Sequence, residues 1–259
     1  ASMEAAFAGK LEVVPCTDLL DAIWLDRPAV PSNKVVSVPN DIAGFSAIQK
    51  LTMVRLAMAR KGCDFTVVSS LDDIAWITNL RGSDISYNPV FLSYLVVGRQ
   101  QAWLFTNPDR FDAETKSLVS SDFEILDYEA VVSTLSNLFK ADDVIYYNPD
   151  KTNLLLFATF RANKTVSGLD ITTDLKACKN ETELEGMRKA HLLDGVALVN
   201  FLASLDTQNG RYTEIELSDM LKRQRKRSAH CIGESFSPIS GWAAHGAMCH
   251  YSADEKSNA

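Results

Sequence analysis

Two adjacent pairs of histidine and cysteine bring together side chains that zinc accepts as ligands. The pairs are His230 with Cys231 and Cys249 with His250. A zinc site needs about four donors that converge on one point. Neighbouring residues of a strand point to opposite faces, so one ion cannot easily bind both members of a pair. The sequence therefore disfavours a zinc centre at either pair.

The other histidines have simpler interpretations. His191 lies on the apolar stripe of a predicted long helix, and we predict a buried, hydrogen-bonded core residue. His230 and His245 are predicted to lie in solvent-facing loops. The other members of the stripe are Leu184, Met187, Leu198, Phe201 and Leu205.

A polar connection joins a short helical pattern to an apolar run in "LDDIAWITNLRGSDISYNPVF", residues 71–91. Gly82 is predicted to adopt a backbone conformation that a side chain would obstruct, and Pro89 to fix the entry into the next strand. Three further side chains are predicted to bind backbone groups that the loop leaves unpaired, namely Asn79, Asp84 and Asn88.

Elements on both sides of this connection must hold it in place. The prolines of residues 26–34 predict a linker, after which Ser46 and Gln49 predict a capping box. Gly62 closes the predicted helix. Its buried face is predicted to consist of Ile48, Leu51, Val54 and Met58.

Strands and helices alternate beyond this helix. Strands are predicted in "DFTVVSS", "VFLSYLVVG", "QAWLFTN", "FEILDY" and "DVIYYN", with helices near 112–120 and 129–140. This order predicts the α/β class with a mixed sheet that is mostly covered by helices.

A second region is predicted to begin near residue 174. Asn180 with Glu183 and Thr213 with Glu216 predict capping boxes for two helices, and "ESFSPISGW" and "GAMCHY" predict short strands. We therefore divide the chain into a lead-in and linker at 1–34, an α/β domain at 35–173 and an incomplete second domain at 174–259.

Composition excludes several classes of protein. The chain has 259 residues, 46% hydrophobic composition and a net charge of -7, so it can bury a core and lacks the basic field of a nucleic-acid binder. Its five scattered cysteines predict reduced thiols in the cytosol. No apolar run is long enough to span a membrane, so we expect no membrane partner.

Several motifs together resemble the cytosolic Xaa-Pro aminopeptidases, also called aminopeptidase P. They are "IW.DRP" at 23–28, "DDIAW", "NLRGSD" and "NPVF.SY" within 72–94, "KN..E.EGMR.AH" at 179–191, "SF..IS" at 235–240 and "GA..HY" at 246–251. The motifs occur in order along nearly the whole chain, which makes the resemblance specific although each motif alone is weak.

The resemblance implies two creatinase-type α/β domains followed by a pita-bread α+β catalytic domain with two divalent metal ions, commonly manganese. It also implies a proline-containing peptide substrate, a cytoplasmic location and a homodimer of the complete enzyme. The family's metal ligands would fall beyond Ala259 and its first domain before Ala1, so we expect no metal site and no peptidase activity in this chain alone.

One catalytic residue is implied by the resemblance. His250 matches the histidine of the "HY" motif, which acts beside the metals as a hydrogen-bond donor or proton shuttle. Arg81 and Asp84 could form the rim of the catalytic cleft or a domain interface, although ordering of their own loop is the favoured interpretation.

Two other functions stay open. Creatinase and related amidinohydrolases share the fold and work without metals. Non-catalytic interaction modules also use creatinase-type and pita-bread domains. The peptidase motifs favour the aminopeptidase over both.

Overall fold

The computed structural model describes residues 7, 9–12, 14, 16, 18–20, 22–206 and 210–259. Contacts divide the described residues into two compact units. The first, the sheet unit, comprises residues 1–38, 45–84 and 90–178. The second, the helical unit, comprises residues 39–44, 85–89 and 179–259.

Eight described strands belong to the sheet unit. They are β1 Val36–Ser37, β2 Phe65–Val68, β3 Leu80–Arg81, β4 Tyr94–Gly98, β5 Ala102–Phe105, β6 Glu124–Leu126, β7 Val144–Tyr147 and β8 Lys164–Ser167. Six of them form one mixed sheet in the order β6-β5-β4-β2-β7-β8, and β1 pairs with β3. The pairs β2/β7, β5/β6 and β7/β8 are parallel, whereas β2/β4 and β4/β5 are antiparallel.

Both faces of this sheet are covered. Successive residues of β5 alternate between two hydrophobic clusters, with Leu104 in one and Phe105 in the other, and both are 0% exposed. A strand with both faces buried reads as a continuous apolar run, which is how "AWLF" reads. The sheet therefore lies between two apolar layers.

Helices supply those layers and build the helical unit. Numbered in chain order, they are α1 Asn40–Ala43, α2 Ala47–Arg60, α3 Leu71–Thr78, α4 Ala113–Ser120, α5 Val131–Leu138, α6 Leu154–Phe160, α7 Ile171–Ala177, α8 Glu181–Ala203 and α9 Glu214–Arg225. Short 3-10 helices span Pro108–Arg110, Tyr128–Ala130 and Ala243–Ala247. None of the helices in the described ranges combines the length and apolar character needed to cross a bilayer.

The three predicted capping boxes are confirmed. The side chains of Ser46, Asn180 and Thr213 each accept from the backbone of the third helical residue, and that residue's side chain accepts from the cap backbone. Gly62 has a φ of 67° and follows Lys61, the C-cap of α2, as expected of a glycine that ends a helix. Local hydrogen-bonding patterns in the sequence were therefore sufficient to place these helix ends.

Some predicted elements need correction. The run "VFLSYLVVG" becomes a strand only from Tyr94, and α6, β8 and α7 had not been predicted. Ile48 is 46% exposed instead of buried, whereas Leu51, Val54 and Met58 are buried as predicted. The domain boundaries at 34/35 and 173/174 stay predictions.

Candidate functional site

His250, the predicted catalytic histidine, lies in an irregular segment of the helical unit. It follows the 3-10 helix Ala243–Ala247 and directly precedes Tyr251, which is buried. The side chain of His250 is exposed, and its φ of 57° lies in the left-handed region. Such a conformation costs a non-glycine residue on the order of 1–3 kcal/mol, so neighbouring contacts must fix this backbone.

Those contacts centre on Glu214, whose side chain is 2% exposed. One carboxylate oxygen accepts from the Trp242 amide at 2.6 Å and lies 2.9 Å from Nδ1 of His245. The other accepts from the Tyr251 hydroxyl at 2.6 Å and from the Ala259 amide at 3.2 Å. One buried carboxylate therefore binds groups on both sides of the predicted catalytic residue.

These hydrogen bonds also set the ionisation of the carboxyl. Burial raises the pKa of Glu214, but the donors from Tyr251, Trp242, His245 and Ala259 outweigh it and lower the pKa from 4.5 to about 2. A depressed folded-state pKa contributes stability that is present above pH 4.5 and is lost as the pH falls towards about 2. Burial and the bond to Glu214 raise the pKa of Tyr251, so its hydroxyl stays a donor at neutral pH.

His245 is not the solvent-facing loop residue that the sequence predicted. Its side chain is 28% exposed, and its ring stacks on Tyr251 with centroids 4.6 Å apart. To donate to the carboxylate of Glu214, Nδ1 must carry the proton, which leaves Nε2 as the acceptor of the neutral ring. The prediction was wrong because a sequence pattern does not show that a buried carboxylate faces this loop. His230, in contrast, is exposed as predicted.

The short strands predicted in "ESFSPISGW" and "GAMCHY" are wrong. Both segments are irregular apart from the 3-10 helix, and the described part of the helical unit contains no strand with which they could pair. The strand-based reason for disfavouring zinc at the His–Cys pairs is therefore wrong as well. Phe236 and Trp242 in these segments are 66% and 73% exposed.

No three histidine, cysteine, aspartate or glutamate side chains converge as a metal site within the described residues. The donor set available there does not fit a metal pair, and we assign no step to a metal.

His191 is exposed, which corrects the prediction of a core residue. Its Nδ1 lies 2.9 Å from the carbonyl oxygen of Met187, one turn earlier in α8. Met187 and Leu198 on the same predicted stripe are also exposed. Periodicity predicts which face of a helix is apolar, but burial also requires an element that covers that face.

The polar connection is ordered largely by its own side chains. Asn79 has a φ of 54°, and its amide donates to the Phe45 carbonyl at 2.8 Å. The guanidinium of Arg81 donates to the carbonyls of Ala75 and Leu80 at 2.7 and 2.8 Å. These contacts favour the ordering role for Arg81, and its place on a cleft rim stays a prediction.

Asp84 belongs to a buried ion pair. Its carboxylate binds the guanidinium of Arg110, the two side chains are 0% and 2% exposed, and it accepts from the Leu92 amide at 2.7 Å. Arg110 also donates to the Asn33 carbonyl at 2.9 Å and to Thr106 Oγ1 at 3.2 Å. The predicted ordering role of Asp84 is confirmed, although Arg110 had not been recognised as its partner.

A glycine is needed at position 82 because a side chain would not fit there, and not because of the backbone angle φ. The φ of Gly82 lies outside the left-handed region. An added Cβ would lie 2.6 Å from Cβ of Phe91 and 3.0 Å from the Val90 carbonyl oxygen. Close approach of two chain segments therefore explains the glycine.

A buried lysine was missed by the sequence analysis. Lys50 in α2 is 2% exposed, and its ammonium donates to Asn79 Oδ1 at 2.6 Å and to the Trp76 carbonyl at 3.0 Å. It also lies 4.6 Å from the centre of the Trp76 ring. The ammonium therefore joins α2 to the C-terminal end of α3. Nothing in the pattern of α2 distinguishes this lysine from exposed ones.

The helical unit contains a cavity of about 390 Å³ that is lined by residues from α8, α9 and the following loop. Its charged walls are formed by Asp194 and Arg225, which bind each other at 2.6 Å, and by Glu234. Phe236 also lines it. No predicted catalytic residue borders this cavity.

Comparison with known proteins gives the family. Residues 26–183 match the creatinase/prolidase N-terminal domain, and residues 185–258 match metallopeptidase family M24. Xaa-Pro aminopeptidase 1 of Dictyostelium discoideum is 35% identical over 238 residues, which are 90% of this chain and 38% of the relative. The chain thus spans about two fifths of the length of the curated relatives it matches.

Solved structures agree with this assignment. One match is the crystal structure of X-prolyl aminopeptidase from Caenorhabditis elegans, which is described as a cytosolic enzyme with a di-nuclear active site. The TM-score is 0.82 and the sequence identity is 32%, and the match covers 87% of this chain and 38% of that chain. A Xaa-Pro dipeptidase from Bacillus anthracis shares the fold, with a TM-score of 0.54 at 15% identity over 70% of this chain and 49% of that chain. The chain belongs to the creatinase/prolidase N-terminal domain family, and its residues 185–258 match the model of metallopeptidase family M24.

Proposed function

We propose that this chain is part of a metallo-aminopeptidase that removes the N-terminal residue from peptides with proline in the second position. The observation that carries the proposal is the ordered pair of family matches across residues 26–183 and 185–258. Relatives named Xaa-Pro aminopeptidase at 33–38% identity, and a neighbour described as having a di-nuclear active site, give the reaction class.

Proline in the second position sets the chemical task. The bond to be cleaved is a tertiary amide without an N–H, and the leaving proline nitrogen must gain a proton as the carbon–nitrogen bond breaks. We propose that the complete enzyme holds two divalent ions, with manganese as their identity, which would supply Lewis-acid chemistry at the scissile bond. We also propose that the complete enzyme is a homodimer and is located in the cytoplasm.

His250 is the proposed catalytic residue of this chain. Its exposed imidazole can donate a hydrogen bond to charge that develops on the substrate or can transfer a proton near neutral pH. In this proposal the α/β domain spans 35–173, the catalytic domain starts at 174, and Arg81 stabilises its own loop.

The test uses the complete gene product that contains this chain. We expect turnover of a fluorogenic peptide with proline in the second position and at least about 100-fold less turnover of the matched alanine peptide, because a site shaped for the proline ring selects for it. A chelator should abolish turnover, and manganese should restore it. Absence of turnover with manganese would contradict the proposal and favour a non-catalytic module. Equal turnover of both peptides would contradict the proposed selectivity for proline in the second position. The 259-residue chain alone is expected to be inactive.

A further inference from the structure

We propose that Glu214 is a positioning residue that fixes the segment 242–251 and thereby holds His250 in its catalytic conformation. This inference rests on the proposed function of His250. Glu214 contacts no reacting atom in the proposal and acts only through the groups that it binds. Its own backbone amide donates to the Ala259 carbonyl at 3.0 Å, so the start of α9 and the residues after His250 are joined twice.

The geometry of the carboxylate supports this role. Carboxylate oxygens accept hydrogen bonds and cannot donate them when ionised, and every polar neighbour of Glu214 that the structure describes in this cluster presents an N–H or O–H. The low pKa of Glu214 keeps it ionised through the neutral range. Charge-assisted hydrogen bonds of this type are stronger than neutral ones.

The groups that bind Glu214 lie on both sides of His250 in the sequence. Trp242 and His245 precede it, and Tyr251 is its immediate neighbour. Tyr251 also donates towards the Ser257 carbonyl oxygen at 2.9 Å, so its ring is held on two sides. Because His250 has a strained φ of 57°, loss of these contacts would let its backbone relax and move the imidazole.

Three substitutions separate positioning from general stability. Glu214→Ala removes all four acceptor contacts. Glu214→Gln keeps one oxygen that can accept from Trp242 and His245, while the Tyr251 hydroxyl can turn to Ser257 and accept from the new amide. Tyr251→Phe removes one of the four contacts of Glu214, together with the contacts of the Tyr251 hydroxyl to Ser257. Asp219→Ala, an exposed position on the same helix, is the matched control.

The first readout is hydrogen exchange of the 259-residue chain, which does not depend on activity. We expect Glu214→Ala to raise the exchange rate of the Trp242 amide by at least about 10-fold, because its acceptor is lost. Glu214→Gln should restore most of the protection, and Asp219→Ala should leave it unchanged. Unchanged protection of Trp242 in Glu214→Ala would overturn the proposal.

The second readout is kinetics of the complete enzyme. A misplaced catalytic group lowers the rate of the chemical step, so we expect Glu214→Ala to lower kcat by about 10- to 100-fold with KM changed less than about twofold. Glu214→Gln should recover most of kcat, and Asp219→Ala should match the wild type. An equal kcat in Glu214→Ala and the wild type would overturn the positioning role of Glu214. The role would also be overturned if Glu214→Gln restored the protection of the Trp242 amide without recovering kcat.

This design also distinguishes a folding failure of Glu214→Ala from a failure of the proposed function. If Glu214→Ala fails to fold, Tyr251→Phe decides, with an expected kcat loss of about 3- to 10-fold in a variant that still folds, because a lost hydrogen bond costs only about 1 kcal/mol. An unchanged kcat in that variant would overturn the proposal. If the wild-type enzyme has no Xaa-Pro activity, the proposed function fails and positioning of a catalytic His250 fails with it. The exchange result then shows only whether Glu214 orders the segment.

Discussion

The sheet unit and the helical unit are ordered by different interactions. All residues of β5 in the sheet unit are buried. In α8, which spans 23 residues that are all described, Ala197 is the one buried residue. Among the described residues of the helical unit, Glu214 at the start of α9 is the most buried, at 2% exposure. Apolar burial therefore orders the sheet unit, whereas a carboxylate with several donors orders the candidate site.

This difference predicts which substitutions each unit tolerates. Apolar burial is non-directional and tolerates shifts of a few tenths of an ångström, whereas a hydrogen-bonded carboxylate fixes the direction of each donor. The sheet unit should respond to mutation through global stability. The segment around His250 should respond through local order and rate.

The largest expected effect is loss of the buried ion pair in the sheet unit. Asp84→Ala leaves the guanidinium of Arg110 buried at 2% exposure without its carboxylate, which should lower the free energy of unfolding by about 3–5 kcal/mol. Urea unfolding of the 259-residue chain measures this loss.

The matched control is an ion pair of the helical unit. Asp194 and Arg225 are 53% and 29% exposed, so Asp194→Ala should cost about 0–1 kcal/mol. Similar losses for Asp84→Ala and Asp194→Ala would show that burial does not distinguish the two units in the proposed way.

The next effect concerns rate and belongs to the helical unit. In the complete enzyme, His250→Ala should lower kcat by about 100-fold, equivalent to about 2.7 kcal/mol in the activation free energy, because a donor to developing charge is lost. Its exposed side chain contributes little to stability, so the melting temperature should stay the same. His230→Ala, another exposed histidine, is the control, and an equal rate in both variants would remove His250 from the site.

The sequence predicted local structure more accurately than it predicted which residues are buried. Capping boxes at Ser46, Asn180 and Thr213 depend on residues three apart, so the pattern itself contains the interaction. The burial of Lys50 and Glu214 depends on groups that are distant in sequence, and charged residues are mostly exposed. No local signal marks these two as exceptions.

The candidate site shows the same limit. A family motif identified His250, but its left-handed backbone and the role of His245 follow from a carboxylate more than 30 residues earlier. Chain periodicity similarly misplaced His191, because its helix face is apolar without being covered. A family motif can therefore indicate a candidate such as His250, whereas the contacts that hold it involve residues distant in sequence.

A smaller effect is expected from Gly82→Val in the sheet unit. The new side chain would collide with Phe91 and with the Val90 backbone, and overpacking of this kind costs about 1–3 kcal/mol. The melting temperature of the chain measures the loss. Gly233→Val in the helical unit is the control, because a Cβ there meets nothing within 4 Å. An unchanged melting temperature in Gly82→Val would show that the two segments separate easily.

The smallest effect compares two equivalent helix caps. Ser46→Ala and Thr213→Ala each remove an N-cap hydroxyl, which costs about 1 kcal/mol. Helix α2 is anchored by Leu51, Val54 and Met58, so its first turn should stay helical and the loss should appear as a lower melting temperature.

In α9 the buried residue is Glu214 alone, so Thr213→Ala should expose the first turn locally. Because few apolar contacts oppose fraying, amide exchange at Glu216 should accelerate by about fivefold, the equivalent of 1 kcal/mol, with little change in melting temperature. Thr213→Ser keeps the hydroxyl and should restore the wild-type rate. If Ser46→Ala and Thr213→Ala gave the same exchange pattern, apolar anchoring would not be what distinguishes the sheet unit from the helical unit.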